Sequence, residues 1–218
     1  MIEEIVPGIA HWKAFHPGIG RIVHSSLVLD SGTLIDPMVP EDGLEGIGRW
    51  SEPRRIVLTN RHHFRHSRHI AERFDCPVLC HEAGLSEFAA DQRVFGFAFG
   101  DRVAMDVQAL ELGCICAEET LLAISGRPGA LCVGDAITRS SDGSLSFMPD
   151  APLGDEPESV RECLRSRLQA VLDLDFDALL LAHGAPVLEG AKARLARLVG
   201  PRACRDGDRA GLQAPRAG

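Results

Sequence analysis

Four histidines in one short segment are the residues whose types and spacing best suit metal chemistry. His62, His63, His66 and His69 lie within eight residues, directly after the apolar segment RIVLT at positions 55–59. The end of a strand holds side chains rigidly, and Zn²⁺ takes three or four nitrogen, oxygen or sulfur ligands at about 2.0–2.3 Å. The spacing therefore permits a metal site, with His62, His63 and His66 as candidate ligands.

Three arginines among these histidines support a competing interpretation. Arg61, Arg65 and Arg68 would make the segment a solvated cationic turn at the start of a helix. Positive charge is unfavourable there, because the N-terminal end of the helix dipole is itself positive. A carboxylate or an anionic ligand is then needed nearby, which weakens this interpretation and leaves it open.

Two further polar residues follow apolar segments far from the histidines in sequence. Asp135 comes after ALCVG at positions 130–134, and His183 comes after ALLLA at positions 178–182. A carboxylate and an imidazole at strand ends are suitable metal ligands, although each residue alone could equally be an ordinary turn residue. Together with the histidine cluster, they predict one site assembled from distant parts of the chain.

The order of predicted strands and helices must bring these segments together. The predicted strands are apolar runs between turn residues, and they cover residues 21–29, 33–36, 55–59, 94–99, 107–112, 120–124, 130–133 and 178–182. The predicted helices cover residues 40–50, 65–74, 156–172 and 189–199. Because both halves contain strands and helices, we predict a mixed α/β (α+β) fold, a four-layer αββα sandwich.

Length and composition predict one domain and a tail. The 218 residues, 45% of them hydrophobic, fit a single domain over residues 1–200. Residues 201–218 are rich in Gly, Pro, Arg and Ala without periodicity, and we predict that they are disordered. The seven cysteines form an odd set, several of them in apolar segments, which predicts free thiols rather than disulfides.

Charge and hydropathy limit the partners. The formal charge is -8 and there is no basic block apart from short arginine clusters, so nucleic acid is a poor candidate partner. No segment approaches the ~20 apolar residues that cross a bilayer, and the acidic N-terminal segment is unlike a signal peptide. We predict a cytoplasmic protein that acts on a small molecule without a membrane. Homodimers are common among small folds of this kind, but no apolar stripe identifies an interface, so the oligomeric state is open.

Taken together, these segments resemble the metallo-β-lactamase superfamily over roughly residues 20–195. The matching pieces, in order, are GTLIDP at 32–37, RIVLTNRHHFRHS at 55–67, CPVLCHEAG at 76–84, LCVGDAI at 131–137 and LLLAHGAPV at 179–187. Their order and spacing carry the resemblance, because each piece alone is weak. The resemblance implies the αββα fold and a metal site at strand ends.

The histidine motif differs from the HxHxDH motif of that family, and two alignments are open. Aligned on HFRHS, His63 and His66 keep two histidine positions, and Arg65 replaces the aspartate. Aligned on VLT, Asn60 and His62 take the two leading histidine positions. The family's middle histidine is also missing, since residues 112–124 contain none. The metal-capable residues of that segment are Cys114, Cys116, Glu118 and Glu119.

With these departures from the family's motif, the resemblance implies a hydrolase with one metal ion rather than two. Its predicted ligands of Zn²⁺ or Fe²⁺ are His63, His66, Asp135 and His183, with His62 as the alternative histidine, and Asp135 and His66 are also the predicted catalytic residues. Hydrolysis of a small ester, thioester, amide or lactone would follow. The alternative is a relative without metal, in which Arg61 and Arg65 bind an anionic small molecule.

Overall fold

Thirteen strands form two sheets in the computed structural model, which describes residues 1–150 and 153–201. The first sheet has seven strands in sequence order, antiparallel from β1 to β4 and parallel from β4 to β7. Its strands are β1 Glu3–Val6, β2 Ile9–His16, β3 Arg21–Val28, β4 Thr33–Ile35, β5 Arg55–Val57, β6 Val78–His81 and β7 Val94–Phe97.

The second sheet has six strands. They are β8 Arg102–Ala104, β9 Val107–Glu111, β10 Thr120–Ile124, β11 Ala130–Arg139, β12 Leu145–Phe147 and β13 Ala178–His183. Its antiparallel order is β12-β11-β10-β9-β8, and β13 pairs in parallel with β11. β13 is buried along most of its length, which explains why its sequence is continuously apolar rather than alternating.

Four helices cover the outer faces of the sheets. They are α1 Gly43–Gly48, α2 Ser67–Phe74, α3 Pro157–Ala170 and α4 Ala191–Val199. In α3 the buried residues Leu164 and Leu168 are four positions apart, so they share one face. α2 ends at Asp75, whose φ of 50° lies in the left-handed region, two residues before Pro77.

The core consists of three layers of apolar side chains. One lies between the sheets and includes Ile35, Val57, Leu122, Cys132 and Leu180. A second lies between the first sheet and α1 and α2, and it includes Trp12, Leu34, Ile47, Ile56 and Ile70. A third lies between the second sheet and α3 and α4, and it includes Leu121, Leu131, Leu164, Leu168 and Leu195. This arrangement confirms the predicted four-layer αββα sandwich.

Some boundaries differ from the prediction. The apolar runs of the sequence do not predict β1, β2, β6, β8 or β12. They end β11 at residue 133, whereas the strand continues to Arg139. Asp135 therefore lies within a strand rather than after it. The pairing of β11 with β13 is irregular between Val133 and Thr138.

No helix of the described residues is long and apolar enough to span a bilayer. Residues 202–218 of the predicted tail lie outside the described residues.

The prediction of free thiols is wrong for one pair of cysteines. Cys114, in the loop between β9 and β10, forms a disulfide with Cys163 of α3, which is 49 positions further along the chain. Cys76, Cys80, Cys116 and Cys132 are free. Sequence alone cannot give a pairing between such distant residues, because the two cysteines meet only when α3 packs on the second sheet.

Reduction of this disulfide is expected to destabilise the fold. A cross-link that closes a loop of this length restricts the unfolded chain, and its loss lowers the free energy of unfolding by roughly 2–4 kcal/mol. Urea unfolding with and without a reductant measures the change. Cys116→Ser, which removes a neighbouring free thiol, should respond to the reductant as the unmodified chain does, whereas Cys163→Ser should not respond. Equal responses of the two variants would contradict the prediction.

Candidate metal centre

Three side chains from separate parts of the chain converge at one place. His63 lies in the 3-10 turn Arg61–Phe64 that follows β5, Asp135 lies within β11, and His183 ends β13. Asp135 Oδ1 is 3.2 Å from His63 Nε2 and 2.9 Å from His183 Nε2. One ligand atom from each residue lies within 4.8 Å of the other two, and no other group of three His, Cys, Asp or Glu among the described residues does so.

A buried carboxylate holds the other side of the His63 ring. Asp36 directly follows β4, and its Oδ2 lies 2.9 Å from His63 Nδ1. Thr59 donates its backbone N–H at 2.8 Å and its hydroxyl at 2.6 Å to the same carboxylate. Asp36 is only 2% exposed. A carboxylate at Nδ1 fixes the orientation of an imidazole, as the outer partners of metal-bound histidines do.

Asp135 is fixed by a contact of its own. Asn60 Nδ2 donates to Asp135 Oδ2 at 2.9 Å, which leaves Oδ1 directed at the two histidines. Gly134 lets β11 approach the residues after β5, because a Cβ at this position would lie 2.5 Å from Thr59 Oγ1. A larger residue at Gly134 would therefore displace Asp135 from the site.

The charges of the three residues are coupled. Burial disfavours the charged form of His63, but the carboxylates of Asp36 and Asp135 outweigh it and raise the pKa of His63 to about 9. Burial likewise opposes ionisation of Asp135, but His63 and His183 outweigh it and hold the pKa of this carboxyl well below its usual range. Without a bound cation, a protonated His63 thus supplies the positive charge between two carboxylates.

His62 and His66, which the sequence predicts as ligands, do not join this group. Both residues are exposed, and His66 Nδ1 accepts a hydrogen bond from the backbone N–H of Val39 at 3.1 Å. Arg65 has a φ of 41°, and this turn directs His66 to the start of α2 while His63 stays inside. The converging set is therefore His63, Asp135 and His183, without the two other predicted histidines.

Each of the two open alignments of the histidine motif captures one residue of the site. The HFRHS alignment contributes His63 but also His66, which lies outside. The VLT alignment contributes Asn60, which contacts Asp135, but also His62, which is exposed. Neither alignment predicts the local backbone, because the 3-10 turn contains a non-helical residue at His63.

The two arginines that the sequence predicts to bind substrate have partners within the chain. Arg61 forms an ion pair with Glu118, whose side chain is 1% exposed. Arg65 Nη1 donates to the backbone carbonyls of His24 at 3.1 Å and Asp36 at 2.7 Å. The substrate-binding role of Arg61 and Arg65 stays a prediction.

The residues that support the ligands are not predicted from the sequence. Asp36 is placed only at the end of a family-like strand, Asn60 only at a replaced histidine position, and Thr59 has no predicted role. The sequence does contain a pattern that could have indicated Asp36, because this acidic residue directly follows the buried strand TLI. His183 likewise follows the apolar run of β13, and it is predicted as a ligand for that reason.

A cleft gives access to His183. It has a volume of about 250 Å³. Its lining residues are Arg21, Ile22, Thr138, Arg139, Pro149, His183 and Gly184. Ile22 is 47% exposed at the start of β3, so the cleft offers both an apolar and a cationic side to a small molecule. His183 is therefore reachable from solvent on the side of β3 and β11.

Two further histidines lie buried on neighbouring strands. His11 Nε2 and His24 Nδ1 are 2.9 Å apart, and burial lowers the pKa of each to about 4. The unfolded chain binds protons at these residues below pH 6.5, whereas the folded chain does not until about pH 4. The free energy of unfolding therefore decreases as the pH falls through this window, by on the order of 2–3 kcal/mol for one such histidine.

Denaturant unfolding between pH 6.5 and pH 4.5 measures this loss. Replacing His11 by glutamine, which keeps a hydrogen-bonding side chain but cannot be protonated, should make the dependence on pH shallower in this window. The same slope in His11→Gln and in the unmodified chain would rule out the buried pair as its cause.

Comparison with known proteins gives a structural likeness only. No protein-family model and no curated protein sequence matches the chain. A metallo-β-lactamase from Pontibacter korlensis is 15% identical with a TM-score of 0.64, over 91% of this chain and 98% of that chain. A metallo-β-lactamase from Erythrobacter litoralis is 14% identical with a TM-score of 0.62, over 91% and 95%.

A flavo di-iron protein from Thermotoga maritima shares the same fold. It is 15% identical with a TM-score of 0.61, and the match covers 91% of this chain but only 61% of that chain. At such identities the likeness concerns the fold. The chain therefore has the metallo-β-lactamase fold, which confirms the fold expected from the resemblance of its sequence.

Proposed function

We propose that this chain is a metal-dependent hydrolase with a single divalent ion, Zn²⁺ or Fe²⁺, held by His63, Asp135 and His183. The convergence of these three side chains is the observation that carries the proposal. Two imidazoles and one carboxylate form a donor set that both ions accept, with coordination positions left for water and substrate.

Two of the three distances between ligand atoms are close to those expected around one ion. Two ligands bound about 2.1 Å from an ion are separated by roughly 3.0–3.4 Å at octahedral to tetrahedral angles. Asp135 Oδ1 lies 3.2 Å from His63 Nε2 and 2.9 Å from His183 Nε2. The carboxylate of Asp36 at His63 Nδ1 leaves Nε2 as the nitrogen that faces the site. The donor types and their outer contacts therefore suit a metal ion.

A bound ion would lower the pKa of a water ligand and polarise the carbonyl group of a substrate. The residues of this chain would supply the geometry. Asp36 keeps the Nδ1 proton of His63, and Asn60 holds Asp135 so that Oδ1 faces both histidines. The cleft beside His183 would receive the substrate, with the side chains of Arg21 and Ile22 at its wall.

A second ion is not part of the proposal. The described residues contain one converging group of ligands, and His62 and His66 lie outside it. Arg65 is largely buried. It lies close enough to Asp36 and Asp135 for its charge to act on both carboxylates. A guanidinium in this position opposes the addition of further positive charge.

The proposed substrate is a small ester, thioester, amide or lactone, because these are bonds that a metal-activated water can hydrolyse. The cleft volume of about 250 Å³ favours a small molecule. A protein that binds an anionic molecule through Arg61 and Arg65 without a metal is less well supported. Arg61 is paired with Glu118, and Arg65 donates to two backbone carbonyls. Each guanidinium therefore already donates to a partner within the protein.

Hydrolysis assays test the proposed activity. Protein freed of metal by a chelator and then supplied with one equivalent of Zn²⁺ or Fe²⁺ is offered a panel of small esters, thioesters, amides and lactones. We expect turnover of at least one class, lost on metal removal and reduced about 100-fold or more in His183→Ala. His62→Ala is the control and should retain activity. Turnover that survives both metal removal and His183→Ala would contradict the proposal.

A further inference from the structure

A buried carboxyl group near the metal centre takes no part in the proposed metal binding or hydrolysis. Glu119 lies directly before β10, is 0% exposed, and its Oε1 has no hydrogen-bond partner in the protein. Its Oε2 accepts a long hydrogen bond from the backbone N–H of Ile115, at 3.3 Å. An unpaired carboxylate oxygen in such a place is costly, so the group is expected to be neutral or to meet a cation.

The fold places Glu119 next to the site. The backbone N–H of Thr120 donates to the carbonyl of Thr59 at 2.8 Å, which joins the start of β10 to the residues that follow β5. The charges that act on Glu119 are those of Asp135 in β11, His63 in the 3-10 turn, and Glu118 in its own loop. Glu119 is therefore electrically coupled to two of the three proposed ligands.

The protonation of Glu119 follows from these surroundings. Burial raises the pKa of Glu119 to about 8, and the negative charge of Asp135 adds to the effect, while the Ile115 N–H and His63 oppose it. At neutral pH, in the absence of a metal ion, the carboxyl group is therefore mostly neutral. Nearby Cys116 is neutral as well, because burial and Glu118 raise the pKa of its thiol.

Charge balance changes when a divalent ion enters. A divalent ion would add two positive charges near Arg65, whose guanidinium already acts on Asp36 and Asp135. Positive charge near a buried acid favours the ionised form of that acid. Glu119 is buried, has one oxygen without a partner, and is coupled to Asp135 and His63, so its ionisation would offset part of the added charge.

We propose that Glu119 releases its proton when a divalent cation binds to His63, Asp135 and His183, and so supplies the negative charge that balances the ion. This inference rests on the proposed metal centre. Glu119 would act on the ion through its charge and not as a ligand, since it does not belong to the converging group. No other step of the reaction is assigned to this residue.

Proton counting during metal binding tests the inference. Zn²⁺ is titrated calorimetrically into metal-free protein at pH 7 in two buffers with different ionisation enthalpies, which gives the number of protons released per ion. Glu119→Gln, which keeps the shape of the side chain, is expected to release about one proton fewer than the unmodified chain. Glu119→Asp, which keeps an acid, is expected to retain the release.

Glu118→Gln is the matched control. Glu118 is equally buried, but burial of its carboxyl is outweighed by hydrogen bonds and by Arg61, so its pKa is lowered and it is already ionised at pH 7. Its replacement should therefore leave the number of released protons unchanged. An equal loss of one proton in Glu118→Gln and Glu119→Gln would overturn the assignment to Glu119.

Infrared difference spectroscopy of the unmodified protein gives an independent measurement if Glu119→Gln does not fold. Addition of Zn²⁺ should remove the C=O band of a neutral carboxylic acid. Binding of Zn²⁺ with no loss of this band, or with the same proton release in Glu119→Gln as in the unmodified chain, overturns this inference and leaves the metal centre intact. Failure of Zn²⁺ to bind at all overturns both.

Discussion

Replacing His63 by alanine is expected to abolish metal binding and to destabilise the protein strongly, whereas the same change at His62 has little effect. His63 is 4% exposed and lies between the carboxylates of Asp36 and Asp135. Its removal leaves the buried carboxylate of Asp36 and the partly buried carboxylate of Asp135 without their shared partner, which costs on the order of 3–5 kcal/mol. His62 is exposed and lies outside the converging group.

Chemical unfolding and a Zn²⁺ titration of the two variants measure both effects. The adjacent positions make a matched pair, because they differ in burial and contacts but not in residue type. His62→Ala should keep the unfolding free energy within about 0.5 kcal/mol of the unmodified chain. Similar losses of stability and metal affinity in the two variants would show that the histidine segment is not arranged as described.

Replacing Asp135 by asparagine is expected to weaken metal binding more than any change in the outer contacts. The amide keeps the size of the side chain but removes the charged oxygen that lies nearest to both histidines. We expect the affinity for Zn²⁺ to fall about 100-fold or more in Asp135→Asn. Asp36→Asn alters the partner of His63 Nδ1 and of Thr59 but no proposed ligand, and we expect it to reduce the affinity about 10- to 100-fold.

Competition with a chelator of known affinity gives this order. Asp142→Asn, an exposed change in the turn between β11 and β12, is the control and should bind Zn²⁺ as the unmodified chain does. If Asp36→Asn lost more affinity than Asp135→Asn, the carboxylate of Asp135 would not be a ligand.

The strands that position the site could be predicted because their sequences are continuously apolar. The run before His183 has the composition of a buried parallel strand, and a polar residue at its end stands out. Asp135 belongs to the converging group, but its position in the fold differs from the predicted one. Its strand continues to Arg139, and the Gly-Asp pair that looks like a turn is a close approach of β11 to Thr59.

The local shape of the histidine segment could not be predicted. Residue spacing alone offers His62, His63 and His66 as equivalent ligands, and the choice depends on a positive φ at Arg65. Such a conformation is uncommon for any residue other than glycine, so no sequence signal points to it. The same holds for Asn60, whose contact with Asp135 joins residues 75 positions apart.

The acidic loop before β10 shows a similar limit. The sequence gives Glu118 and Glu119 as equal metal-capable residues, and only the packing distinguishes them. Glu118 meets Arg61 and is ionised, whereas Glu119 is enclosed with one oxygen unpaired. Their different environments depend on contacts across the fold, which neither composition nor periodicity contains.

The metal content of protein purified without a chelator tests the central claim most directly. Elemental analysis of the unmodified chain should give one equivalent of zinc or iron per chain, with that metal lost in Asp135→Asn and His183→Ala but kept in His62→Ala. Absence of metal from the unmodified chain, together with no uptake of added Zn²⁺ or Fe²⁺, would contradict the account. A stoichiometry of two ions per chain would contradict it as well.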